Sequence, residues 1–350
     1  MHPRLLALKS AVPPYVIAQS EAAHYARSLF AQVRDIARLI PVFENTGIAR
    51  RYSCVPIDWY VGDHGWMDRT KLYVDNAVDL LESVTRRLLE EANLKPDDID
   101  SIVAVSTTGV ATPSLDALLV ERMGLRRDIQ RLPIFGLGCA GGLIGLSRAA
   151  DIATARPGSK VLFLVVELCA LTFRKNDISK SNIVATALFG DGAAGAILST
   201  DGEGPEFGAA GEYTWPNSLD VMGWDMAEDG LKARFATSIP GLVASDFRSL
   251  LDQFLARNDI DFSQIDAFAC HPGGAKVLDA LEDSLALPRG GLQDSRSILR
   301  DYGNMSAVTV LFVAERMDVR HKPQRTLLTA LGPGFSAAFL MLDGQGLEIK

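Results

Sequence analysis

The chain alternates two kinds of apolar spacing. KLYVDNAVDLLESVTRRLLEEA, residues 71–92, carries apolar residues three and four apart, which predicts an amphipathic helix. LKPDDID follows as a turn, and SIVAVSTTG reads as a buried strand that ends in small polar residues. LDALLVERMGL is again helical, RLPIF is a short strand, GGLIGLSRAADIATAR is a helix and VLFLVVE is a buried strand. TALFGDGAAGAILS splits into two apolar runs around a Gly-Asp-Gly turn. Helix and strand in alternation predict α/β layers.

The pattern then repeats. DFRSLLDQFLARN, residues 246–258, followed by FSQIDAFACHPGG, parallels the helix ending near Ala92 and DDIDSIVAVSTTG. ILRDYGNMSAVTVLFVAERM parallels RLPIFGLGCAGGLIGLSRAADI, TLLTAL parallels VLFLVVEL, and GPGFSAAFLML parallels GDGAAGAILS. Gly109 and Gly274 are separated by the same length of chain as Cys139 and Asn304. The second half is shorter, and LTFRKNDISKSNIVA is the matching insertion in the first. The repeat divides the chain into residues 1–205 and 206–350. It places Cys139 and Asn304 at equivalent strand-to-helix turns, with His271 at the end of a strand aimed at the same centre.

Composition narrows the class. The 350 residues are 48% hydrophobic and 22% charged, enough for a large buried core. A net charge of -8 argues against a nucleic-acid-binding surface. The four cysteines, Cys54, Cys139, Cys169 and Cys270, form no C-x-x-C pair, so neither a zinc site nor a disulfide framework is expected. No apolar run reaches the roughly 20 residues of a membrane span, and the first residues lack a signal-peptide pattern. A reduced, cytoplasmic protein is expected.

The candidate chemistry centres on GLGCAGG. Gly136, Gly138 and Gly141 spell the G-x-G-x-x-G spacing of a dinucleotide loop, and Glu167 ends the next strand, where such a loop expects a ribose-binding acid. The other reading is a cysteine elbow. Cys139 follows a strand and precedes a long helix, whose N-terminus favours a thiolate. The nicotinamide reading explains neither HPGG nor GNMS. The cysteine reading uses both: His271 supplies an imidazole beside a thiol, and the Asn304 amide beside that imidazole makes an oxyanion hole for a thioester enolate.

Cys139 in GCAGG, LFGDGAA, His271 in HPGG, Asn304 in YGNMS and Gly332-Pro333-Gly334 in GPGF occur in one order. This set resembles the type III polyketide synthases, the chalcone synthase-like branch of the thiolase superfamily, from about Pro3 to the C-terminus. The Cys/His/Asn set is shared with initiating ketoacyl-carrier-protein synthases, which leaves a single-condensation enzyme as the alternative. The resemblance implies a thiolase-like α/β fold of two pseudo-repeated halves in α-β-α-β-α layers. It implies loading of an acyl-CoA starter on Cys139 and extension with malonyl-CoA, with His271 and Asn304 stabilising the enolate left by decarboxylation. It implies a homodimer and no metal or redox cofactor. Phe189 matches a gatekeeping phenylalanine. Cys169, Thr108, Ser306 and the GPG residues are expected at the substrate. Arg38, Arg50 and Arg51 are candidates for the CoA phosphates.

Several positions depart from the plant pattern. Ala233 stands where a second gatekeeping phenylalanine belongs, with Phe235 two residues later, and Trp224 stands where plant enzymes have glycine. Cys169 replaces a threonine, and Thr112 a methionine that reaches the partner subunit. These changes resemble relatives that accept fatty acyl starters and make alkylpyrones or alkylresorcinols.

Overall fold

The computed structural model describes residues 2–30, 40–322 and 324–344. In chain order the first half contains β1 (Arg4–Ala11), β2 (Tyr15–Ala18), α1 (Gln19–Leu29), α2 (Pro41–Asn45), β3 (Arg50–Ser53), α3 (Trp66–Ala92), β4 (Ser101–Val105), α4 (Leu115–Met123), β5 (Gln130–Ile134), α5 (Gly141–Ala155), β6 (Val161–Leu168), α6 (Lys180–Leu188) and β7 (Asp191–Ser199). The second contains β8 (Glu206–Thr214), β9 (Met222–Ala227), β10 (Gly230–Phe235), α7 (Ile239–Arg257), β11 (Ala267–Cys270), α8 (Ala275–Ser284), α9 (Gln293–Tyr302), α10 (Thr309–Arg316), β12 (Arg325–Gly332) and β13 (Ser336–Asp343). Helix α3 begins at Trp66, a turn before the predicted start, and Asn93 ends it with a left-handed φ of 52°.

Nine strands form one continuous sheet in the order β11-β12-β13-β8-β1-β7-β6-β4-β5. A single residue pair, Arg4 with Glu206, joins β1 to β8, so the sheet divides naturally there. On one side β4 runs parallel to β6, and β7 and β1 follow antiparallel. On the other, β11 runs parallel to β12, and β13 and β8 follow antiparallel. The predicted repeat is visible in this matched order.

The strands have two apolar faces because both are covered. On β6, Val161, Phe163 and Val165 face α5 and α10, while Leu162, Leu164 and Val166 face α3 and α4. The first cluster also takes Leu328, Ala330, Ala338 and Leu340 from the other sheet half. Helices α5 and α10 therefore form the middle layer. The outer layers are α3 and α4 on one side and α7, α8 and α9 on the other. This is the layered α-β-α-β-α arrangement.

One expected match fails. ILRDY was paired with the strand RLPIF, but it closes helix α9. Ser295, Ile298 and Leu299 are buried three and four apart, a helical period; Leu299 packs against the α7–α8 layer and Ile298 in the middle layer. Strand β5 consequently has no counterpart among the described residues. It is an exposed edge strand carrying Pro133, where the missing N–H costs the sheet no bond.

Candidate active site

Cys139 lies in a short 3-10 turn, Gly138–Ala140, that runs directly into α5. Asn304 precedes the matching turn, Ser306–Val308, that runs into α10. The turns meet where the Cys139 thiol donates to Ser306 Oγ at 3.5 Å. Asn304 Oδ1 accepts from the Ser306 N–H at 2.8 Å, and Asn304 Nδ2 donates to Gly273 O at 3.2 Å, on the loop that follows His271. His271 extends β11 and is anchored by its N–H to Thr329 O at 2.8 Å. The three residues named from sequence are thus linked through Ser306 and Gly273.

The glycines of GLGCAGG serve packing. A Cβ on Gly142 would lie 2.1 Å from Ala307 O, so this position lets α10 cross α5 closely. Gly138 has a φ of +48°, and a Cβ there would sit 2.5 Å from Pro333 Cδ. Pro333 therefore buttresses the cysteine turn, and Gly332 abuts Ala140 beside it. Gly334, at φ +123°, turns the chain into β13.

Burial sets the protonation states. It pushes the Cys139 thiol up to about 12, with the Ser306 hydrogen bond opposing and Glu167 reinforcing the rise. It lowers the His271 imidazole to about 3. The thiolate that the helix N-terminus favours is therefore opposed by burial. Burial thus disfavours the charged form of both groups, against the pull of the helix N-terminus on the thiol. Neither ring nitrogen of His271 has a partner among the described residues, so a nitrogen lone pair is free to take a proton.

Sequence reasoning missed the role of Glu167, considered only as a ribose ligand. Its carboxylate is fully buried and accepts from the Thr107 N–H at 3.1 Å and Thr108 Oγ1 at 2.8 Å. Thr107 Oγ1 in turn accepts from the Gly138 N–H at 3.0 Å, inside the cysteine turn. Thr108 thus orients a carboxylate. Burial raises Glu167 to about 7, and Oε1 is unpartnered. An acid closing the apolar run VLFLVVEL was the available signal. Asp191 of LFGDGAA is also buried; it accepts from the Cys54 N–H at 2.9 Å and the Ala170 N–H at 2.8 Å, fixing the turn that carries Cys169.

An aromatic wall stands beside this centre. Cys169, Ala185, Phe189 and Ala233 form one small buried cluster, with Trp224 and Phe235 packed against it. The Phe189 ring lies 5.7 Å from Trp224 and 5.6 Å from Phe235. Ala233 pairs directly with Trp224 across β9 and β10, so the small residue faces the indole strand. Behind Cys169, Thr172 and Phe189 an apolar cavity of about 60 Å³ reaches Ala22, Ala26 and Leu29 of α1.

The basic candidates separate. Arg38 lies outside the described residues. Arg50 is exposed on β3. Arg51 is only 4% exposed and gives its donors to protein oxygens, so it does not face a CoA phosphate. Alternation along the strand turns consecutive arginines to opposite faces.

Residues 59–202 match the N-terminal domain of the chalcone and stilbene synthases, and residues 206–350 match the C-terminal domain. The chain belongs to this family, the type III polyketide synthases. A putative chalcone synthase of Bacillus subtilis is 36% identical, over 97% of this chain and 98% of that protein. A 1,3,6,8-tetrahydroxynaphthalene synthase of Streptomyces peucetius is 38% identical, over 96% and 92%. The crystal structure of the Streptomyces coelicolor tetrahydroxynaphthalene synthase, a bacterial type III polyketide synthase, superposes with a TM-score of 0.93 at 30% identity, over 98% of this chain and 99% of that one. This type III polyketide synthase is a condensing acyltransferase with a thiolase-like fold. No helix among its described residues is long and apolar enough to cross a membrane.

Proposed function

We propose that this enzyme loads an acyl-CoA starter on Cys139 and extends it by iterative decarboxylative condensation with malonyl-CoA. The observation that carries the reading is the junction of the cysteine turn, Asn304 and the His271 loop through Ser306 and Gly273. In the first step the neutral imidazole of His271 accepts the thiol proton as sulfur attacks the thioester, and CoA leaves with a proton. Malonyl-CoA then loses CO₂, and its enolate oxygen is held by the His271 N–H and the Asn304 amide. The enolate carbon attacks the acyl-cysteine carbonyl, the C–S bond breaks, and the lengthened chain leaves as a CoA thioester that reloads. The chemistry calls for CoA thioesters and no metal or redox group. Arg50 and Arg38 remain candidates for holding CoA.

The starter we propose is a fatty acyl group and the product an alkylpyrone or alkylresorcinol. The apolar cavity behind Cys169 and Phe189 supports an alkyl occupant. Trp224 and the Ala233–Phe235 strand limit growth on the other side. A second reading, malonyl priming to an aromatic product, draws support from relatives named as tetrahydroxynaphthalene synthases. A starter panel separates the two. Faster turnover with decanoyl-CoA plus malonyl-CoA supports the first. Equal or faster turnover of malonyl-CoA alone to an aromatic product supports the second. A requirement for a carrier protein with a single added malonyl unit would point instead to an initiating ketoacyl synthase.

A further inference from the structure

The C-terminal turn of α6 ends in four carbonyls that the helix itself leaves unpaired. Three partners from outside the helix take them. Arg51 Nη1 donates to Thr186 O and to Phe189 O, the latter at 3.2 Å. Gln19 Nε2 donates to Ala187 O at 3.0 Å. The Asn304 N–H donates to Leu188 O at 2.8 Å, and the Gly190 N–H returns to Asn304 O at 3.0 Å. Gln19 Oε1 accepts from Arg51 Nη2 at 2.8 Å, which ties the two side chains together. Gln19 and Arg51 are both buried, and among the described residues no carboxylate pairs with Arg51. A guanidinium buried at this depth is costly unless its surroundings hold it. Here the carbonyls, the negative end of the α6 dipole and the nearby charge of Asp191 do so.

We infer that Arg51 is a positioning residue: its buried guanidinium, oriented by Gln19, fixes the end of α6 and thereby the placement of Phe189 and the Asn304 backbone. The same turn carries Phe189 of the aromatic wall and is bonded to the Asn304 backbone, so displacing it moves both. This inference rests on the enolate-stabilising role proposed above for Asn304. Arg51 also lines the apolar cavity, but its guanidinium donors go to protein oxygens.

The test is steady-state malonyl-CoA decarboxylation, read as CO₂ release. Misplacement of a reacting group by about 1 Å costs on the order of 10²-fold. Arg51→Met keeps the apolar stem and is expected to lower kcat by about 30- to 100-fold while KM for malonyl-CoA changes less than threefold. Arg51→Lys, which restores the cation, is expected to recover at least a third of the lost rate. Gln19→Leu is expected to lower kcat in the same direction, and the pair Gln19→Leu/Arg51→Met to be little worse than Arg51→Met alone. A rise in KM with kcat preserved makes Arg51 a CoA contact and overturns the inference. So does unchanged kcat in folded Arg51→Met protein. If Arg51→Met does not fold, Arg51→Lys and Gln19→Leu decide by the same split, and unchanged kcat in both overturns it. Asn304→Ala serves as the reference: if it leaves decarboxylation intact, the enolate role fails independently of the clamp.

Discussion

At the scale of single residues, the account turns on side chains whose burial sets their charge. Cys139→Ala is expected to abolish condensation, a loss of at least about 10³-fold in product formation, while residual malonyl-CoA decarboxylation persists because His271 and Asn304 remain. Thin-layer analysis of labelled products beside CO₂ release checks this. Glu167 gives a stability prediction with a definite sign. Its folded-state pKa is raised to about 7 from 4.5, so the folded chain binds more protons than the unfolded chain between those values. Stability from this group therefore falls as pH rises from 4.5 to 7 and stays low above. Glu167→Gln removes that dependence. Relative to the parent it gains on the order of 2–3 kcal/mol between pH 4.5 and 8, as urea unfolding at both pH values would show. The trio proposed as reactive, Cys139, His271 and Asn304, was legible in the chain because each member sits in a short motif with its own chemistry. Glu167 and Arg51 were not. Their roles come from partners distant in sequence, Thr107 and Thr108 for one and the end of α6 for the other.

At the scale of elements, close packing of α5 against α10 is what joins the turns that carry Cys139 and Asn304. Gly142→Ala forces a methyl group against Ala307 O and is expected to destabilise the fold by about 2–3 kcal/mol. Its thermal midpoint should fall and its condensation rate should fall further than unfolding alone accounts for. A Tm unchanged within a degree would remove the close approach as a determinant. The β9–β10 hairpin carries a second prediction. Trp224→Ala opens space beside Phe189, so product masses should shift toward one or more additional malonyl units, while acylation of Cys139 changes less than threefold. The strands with both faces apolar were readable from pattern alone, as VLFLVVEL shows. ILRDY was misread because short apolar pairs suit either period, and only its contacts with the α7–α8 layer select the helix.

At the scale of the whole molecule, the exposed edge strand β5 needs cover. Leu132 on this strand and Phe135 just after it are both exposed. Such an edge invites pairing with another chain, and we propose that a second copy covers it. Sedimentation should give twice the chain mass, and Phe135→Asp should raise the dimer dissociation constant at least tenfold. A monomer at micromolar concentration would dismiss this reading. The internal repeat was legible from matched motif spacing, and the mirrored strand order bears it out. The joining of the two sheet halves through a single pair at Arg4 and Glu206 was not, since no local pattern encodes a contact between the start of the chain and its middle.

The most direct test of the whole account is mass spectrometry of the enzyme and its products after incubation with decanoyl-CoA and carbon-13-labelled malonyl-CoA. With decanoyl-CoA alone, the peptide containing Cys139 should carry a decanoyl group. With both substrates, products should form a series spaced by labelled two-carbon units. Labelled products formed without any acyl group on Cys139, or formed equally by Cys139→Ala, would contradict the assignment of Cys139 as the residue that carries the growing chain.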